Sequence, residues 1–249
     1  MTNIKTISIL GSGWLGLPLA KELSQTYKIN LSTRTEEKKE SLKCSSINTF
    51  LIDIDMIDTK ISSFLQSDIL IINIPSKNID GFKELIKQIL CSTIKRVIFI
   101  SSTSVCHNEQ NPLKKIDELF QNTDIKTTIL RFGGLIGYSR NPANFFKNGK
   151  IVKNSNAPVN MIHRDDCISI ISEIIRQDMF DEAFNCCSPS HPTKREFYTY
   201  CAVSEELIIP IFDDIEDFSI YKTIKSDKLI SKLSYKFIYS DLMKVYKKE

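Results

Sequence analysis

The sequence carries no surplus of charge of either sign: 33 basic and 30 acidic residues leave a net +3. That balance excludes the strongly basic groove of a nucleic-acid binder. Also lacking is any uninterrupted apolar run near the roughly 20 residues that span a bilayer, so no membrane partner is expected. The seven cysteines, at positions 44, 91, 106, 167, 186, 187 and 201, are odd in number and none has CxxC spacing. They read as reduced and mostly buried, not as disulfide staples. The start, Met-Thr-Asn-Ile-Lys, has neither the basic stretch nor the small-residue cleavage site of a secretory leader. Together these absences predict a cytoplasmic protein whose partner is a small-molecule substrate.

What is present is ordinary globular composition, 42% hydrophobic and 25% charged over 249 residues, enough for one domain with a second lobe. Short β-branched runs recur at Thr6 to Leu10, Ile29 to Thr33, Thr49 to Ile52, Ile69 to Ile74, Val97 to Ile100 and Thr127 to Leu130, each reading as a buried strand. Between them, Phe82, Leu85, Ile86, Ile89 and Leu90 have the spacing of a helix lying on a sheet. Alternating strands and helices with right-handed crossovers predict an α/β fold, a Rossmann-type doubly wound parallel sheet. After Arg131 the rhythm changes to a loop rich in Gly, Asn and Pro, Gly133 to Gly149, followed by a helix across Asp165 to Arg176. The expected division is a nucleotide-binding domain over 1–136 and a small C-terminal substrate lobe over 137–249. Ala183 to Cys187 would return to the sheet, and a helix would follow Pro192.

Of only eight glycines, three stand in Gly11-Ser12-Gly13-Trp14-Leu15-Gly16, directly after the first strand and before the helical Leu15, Leu19, Leu23 spacing. In that context the first glycine allows the tight turn, the second lets a pyrophosphate approach the backbone, and the third lets the helix pack on the sheet. Amides of Gly13 to Leu15, at the positive helix end, would hold the phosphates. The second strand ends Leu31-Ser32-Thr33-Arg34-Thr35. An arginine there with hydroxyl neighbours suits a 2′-phosphate, which favours NADP with NAD still open, against the reading of Arg34 as a solvated loop cation beside Glu36 and Glu37.

Further segments complete a pattern: Leu51-Ile52-Asp53, Asn73-Ile74-Pro75-Ser76, Ser101-Ser102-Thr103-Ser104-Val105, Leu130-Arg131-Phe132-Gly133-Gly134-Leu135-Ile136-Gly137, Ile162-His163-Arg164-Asp165-Asp166, and Phe184-Asn185 followed by Pro189, Pro192 and Thr193. The succession resembles the extended and atypical short-chain dehydrogenase/reductases, in particular the NAD-dependent epimerase/dehydratase-like branch, over nearly the whole chain. The resemblance implies that Asp53 lies near the adenine, that Ile74 and Pro75 line the ribose side, and that Ser101 and Ser102 sit beside the nicotinamide. Ser102 matches the family's catalytic serine or threonine, and Arg140, Asn144 and His163 would face the substrate. Asp53 is equally suited to capping a turn. His163, with no second histidine four residues on, makes a poor metal site and suits fixing the next helix. Of Cys186 and Cys187, neighbours on opposite strand faces, one is expected in the core.

The chain departs from the family in its chemistry. Such reductases use a tyrosine acid/base with a lysine four residues later, yet no tyrosine occurs from Thr103 to Leu130. If Glu118 matches the glutamate that often follows the pair, the pair falls on Gln110 and Lys114; the lysine survives, but glutamine cannot exchange a proton near neutral pH. A Tyr-x-x-x-Lys spacing at Tyr221 and Lys225 lies far downstream and reads as coincidence, and a Cys106-His107 nucleophile pair is disfavoured by adjacency. Asp117, His107 or a substrate-held water remain as proton carriers. The expected function is an NAD(P)-dependent oxidoreductase or epimerase/dehydratase-like enzyme acting on a small carbonyl, hydroxyl or nucleotide-sugar-like substrate. The alternative is a non-catalytic NADP-binding sensor or scaffold.

Overall fold

The computed structural model describes residues 5–42, 46–57, 61–106, 110–146 and 149–246; Cys44 and His107 lie outside the described residues. In chain order the elements are β1 (Thr6–Leu10), α1 (Gly16–Leu23), β2 (Lys28–Thr33), α2 (Glu36–Ser41), β3 (Ile47–Leu51), α3 (Ile61–Phe64), β4 (Ile69–Ile72), α4 (Ile79–Leu90), β5 (Arg96–Ser102), α5 (Pro112–Gln121), β6 (Lys126–Phe132), β7 (Gly134–Ile136), β8 (Met161–His163), α6 (Arg164–Gln177), β9 (Ala183–Cys186), α7 (Lys194–Ser204) and α8 (Asp227–Leu233). They divide into two compact units, Met1–Arg131 with Ile168–Phe184, and Phe132–Cys167 with Asn185–Glu249. The second unit thus begins a few residues before the expected boundary, and the body of α6 belongs to the first.

The first unit is built on a seven-stranded parallel sheet of order β3-β2-β1-β4-β5-β6-β9. β1 lies between β2 and β4, with Ile7 opposite both Ile29 and Ile69. That reversal of strand order beside β1 is the switch point at which doubly wound sheets open a crevice at their carboxyl ends. The strands form where β-branched residues can be buried on both faces, as at Ile69–Ile72, where every residue is buried. α4 starts at Asn78, whose side chain accepts from the Gly81 amide at 3.0 Å. It turns Phe82, Leu85, Ile86 and Ile89 into the core, where Phe82, Phe99 and Phe120 meet edge-on and stacked with ring centres 5.0 to 6.2 Å apart. Leu90, assigned to the same stripe by spacing, is instead 57% exposed at the helix end.

The second unit has its own core of Ile136, Val152, Val159, Met161, Phe197, Cys201 and Leu242. A two-stranded parallel sheet pairs β7 with β8, Ile136 opposite His163. Three-residue strands carry too little periodicity to be read from sequence. Cys186 and Cys187 are both fully buried, because the Cys187 backbone is tied on both sides to the Ser226 hydroxyl at 2.8 Å. The adjacent thiols therefore do not divide between core and surface. Cys167 and Cys201 are buried as well, and burial pushes both thiols up, away from the reactive thiolate.

Candidate functional site

The glycine turn separates into three jobs. Gly11 has φ +108°, and a side chain there would collide with the Asn73 carbonyl. Its amide donates to Ser32 Oγ at 2.9 Å, so that hydroxyl braces the turn and is not held for a phosphate. At Gly16 a side chain would collide with the Gly11 carbonyl, which forces α1 close to β1. Around Gly13 nothing lies within 4 Å of where a Cβ would stand. Beyond it α1 begins at Leu15 with no side-chain cap, so the first helix amides have no protein acceptor of the usual capping kind.

These features open onto a cavity of about 450 Å³ in the first unit. Gly11, Ser12 and Gly13 form one wall, and Ile74 and Pro75 another. Arg34, Thr35 and Lys38 stand at the end of β2. Trp14, Leu15 and Gly16 support the turn from outside that lining. Thr35 caps α2 by accepting from the Lys38 amide at 3.3 Å, and Glu36 is paired with Lys39 at 2.8 Å. Arg34 and Lys38 are thus the cations on this wall. Lys38 was not singled out by sequence, although its place in the first turn after Arg34 was a usable signal. Asp53 does not line the cavity: its carboxylate accepts from the Asp55 amide at 3.0 Å and caps a short turn, while Asp55 takes the place at the wall.

Ser101 and Ser102 end β5 facing different partners. Ser101 is buried and donates to Asp117 Oδ1 at 2.7 Å, and Arg131 Nε donates to Asp117 Oδ2 at 2.8 Å. Asp117 is 1% exposed, and burial raises its pKa against the opposing pull of Ser101 and Arg131. Ser101 and Asp117 are therefore joined with Arg131 in an internal hydrogen-bonded cluster at the end of β5. Ser102 Oγ is half-buried and accepts from the Ser104 amide at 3.2 Å. Lys114 lies in the first turn of α5, which is capped by Asn111 with Pro112 at the first helical position. Gln110 precedes that cap, so it does not share a helix face with Lys114. Asn111-Pro112 was a legible start signal that places it outside.

In the second unit Gly137 and Arg140 bond each other's backbones at 3.2 and 3.0 Å, and Tyr246 Oη accepts from the Gly137 amide and donates to the Arg140 carbonyl at 3.3 and 3.1 Å. The Arg140 side chain is exposed. His163 is 5% exposed; its Nδ1 accepts from the Asp165 amide at 3.2 Å at the start of α6, and its ring lies against Tyr239, tilted by 40° with centres 3.8 Å apart. Burial lowers its pKa, leaving a neutral ring. It has a helix-fixing place. Asn144 Oδ1 is buried without a hydrogen-bond partner among the described residues, beside a second cavity of about 360 Å³ walled by Phe146 and Leu207 to Ile211. Tyr221 donates to Glu216 in a non-helical segment, so Tyr221 and Lys225 form no helical pair. Among the described residues no group of acidic, histidine and cysteine side chains could hold a metal ion, and no helix is long and apolar enough to cross a membrane.

No family model matches the chain. It is 28% identical to Protein YeeZ of Escherichia coli (strain K12), over 96% of this chain and 97% of that one. Among solved structures it resembles a putative NAD-dependent epimerase/dehydratase from Methylobacillus flagellatus, at TM-score 0.77 and 20% identity over 98% and 97% of the two chains. It also resembles the UDP-glucuronic acid 4-epimerase of Bacillus cereus, in complex with a UDP-sugar and NAD, at TM-score 0.75 and 15% identity over 97% and 98%. The chain has the Rossmann-type fold of the NAD-dependent epimerase/dehydratase proteins.

Proposed function

We propose that this protein is a member of the epimerase/dehydratase-like short-chain dehydrogenase/reductases and an NAD(P)-dependent oxidoreductase or epimerase acting on a small carbonyl, hydroxyl or nucleotide-sugar-like substrate. The carrying observation is the cavity at the switch point, with an open Gly13, an uncapped helix start and two cations at the ribose end. These residues fit a dinucleotide. Amides of Gly13 to Leu15 hold the pyrophosphate, Ile74 and Pro75 lie against the ribose, and Arg34 with Lys38 binds a 2′-phosphate, favouring NADP over NAD. The cofactor supplies or accepts hydride; the chain binds and orients. Ser102 orients the substrate oxygen and Lys114 steadies the nicotinamide ribose, while Arg140 and Asn144 meet the substrate. The cysteine pattern suits a reducing, cytoplasmic setting.

A second reading, an NADP-binding sensor without turnover, is favoured by one specific finding: Asp117, one of the expected proton carriers, is buried in an ion pair with Arg131. Titration with NADPH and NADH, followed by a panel of carbonyl compounds and nucleotide sugars read by absorbance, separates the two. Binding with turnover supports the enzyme, binding without turnover supports the sensor, and absence of binding overturns both.

A further inference from the structure

The second unit holds a cavity whose hydrogen bonding is incomplete. A short 3₁₀ turn, Pro142–Phe146, lies against α7, with the Phe146 and Tyr198 rings 4.8 Å apart. Two asparagines at this turn are treated differently. Asn141 is satisfied at both ends of its amide: Nδ2 donates to the Cys201 carbonyl at 3.2 Å and Oδ1 accepts from the Ala143 amide at 2.8 Å. Three residues on, the Asn144 backbone amide donates to the Asn141 carbonyl at 3.1 Å, but its side-chain Oδ1 is shut away from solvent with no hydrogen-bond partner among the described residues. A buried oxygen left in this way opposes folding, so its retention points to a donor that arrives from outside the chain.

The cavity beside Asn144, about 360 Å³, falls in the range of small-molecule pockets. Backbone bonds hold its walls apart: the Leu207 amide donates to the Ala202 carbonyl at 2.8 Å, the Val152 amide to the Ile211 carbonyl at 2.8 Å and the Asp213 amide to the Val152 carbonyl at 3.0 Å. The lining is mainly apolar, and Ile208, Ile209 and Ile211 within it stand 93%, 49% and 60% exposed. Such walls offer a water too few partners and suit an apolar body that would cover them. Lys150 is the one charged group among the described residues that line the cavity, where a diphosphate calls for several. We propose that this cavity binds a small apolar molecule carrying one hydroxyl or N–H donor, which Asn144 Oδ1 accepts. Insofar as that molecule is the substrate, the proposal rests on the oxidoreductase reading and narrows it from nucleotide sugars to small apolar alcohols. The cavity itself lies wholly within the second unit.

Indole and 1-methylindole match closely in shape and differ in the donor. Calorimetry on the natural protein without cofactor should show saturable indole binding and binding of 1-methylindole weaker by about tenfold or more, because the methyl group would leave Oδ1 unpaired. Asn144→Leu should erase that difference and, by removing an unsatisfied oxygen, raise the Tm of the ligand-free protein by about 2 to 4 °C. Ile209→Trp, at a half-exposed wall position, should fill the space and abolish binding of both indoles, whereas excess UDP-glucose should leave indole binding unchanged. Absence of indole binding, equal binding of the two indoles, or a preference that survives Asn144→Leu overturns the proposal, as does indole binding untouched by Ile209→Trp. Displacement of indole by UDP-glucose overturns the ligand class. A protein that binds indole as expected but no NADPH keeps this site and loses the oxidoreductase reading.

Discussion

At the scale of single residues, chemistry type was more legible than partner. Arg34 was read from its place after β2 with hydroxyl neighbours; of those hydroxyls, Ser32 accepts from the Gly11 amide and Thr35 from the Lys38 amide. Short hydroxyl side chains satisfy local amides first, and sequence does not reveal which amide is near. With those hydroxyls occupied, Arg34→Ala should weaken NADPH by about 1.5 to 3 kcal/mol while leaving NADH nearly unchanged, and Lys38→Ala should do the same more weakly from its exposed helix. Equal losses for the two cofactors in calorimetry would remove both cations from the 2′-phosphate. His163 yields a prediction about stability. Its folded pKa lies below the ordinary 6.5 because burial disfavours the cation. As pH falls through 6.5 the unfolded chain takes the proton first, so the stability present above that pH declines below it. His163→Asn keeps a cap acceptor without titrating and should flatten that decline in denaturant melts; an unaltered profile would contradict the assignment.

At the scale of elements, long patterned segments were readable and short or exposed ones were not. β1 and the core-facing stripe of α4 agree with their sequence spacing because burial on the sheet demands it. α2 buries no residue and so has no stripe. The family pair would fall on Gln110 and Lys114, but the Asn111 cap and Pro112 fix the first turn of α5 after Gln110. Replacing Gln110 by tyrosine therefore would not place a phenol one turn from Lys114. α7 offers a clean test of element stability. Thr193 and Glu196 cap it reciprocally, with Thr193 Oγ1 accepting from the Glu196 amide at 3.2 Å and the Thr193 amide donating to Glu196 at 2.8 Å. Thr193→Ala should cost about 1 kcal/mol in chemical denaturation; no loss would mean that the helix start is held by packing alone.

At the scale of the molecule, the doubly wound sheet and the glycine turn were both accessible to sequence because each is local: a strand, a turn and a helix in one continuous stretch. The partner groups that converge from distant positions, such as Asp117 with Ser101 and Arg131, have no sequence signature and appear only in the fold. The central claim is that the cavity beside Gly13 is a dinucleotide phosphate site. Its most direct measurement is calorimetric titration of NADPH into the natural protein and into Gly13→Val, whose added Cβ meets no protein atom within 4 Å. The account predicts saturable binding to the first, none to the second, and the same circular dichroism and melting behaviour for both. Equal affinity for the two proteins would contradict it.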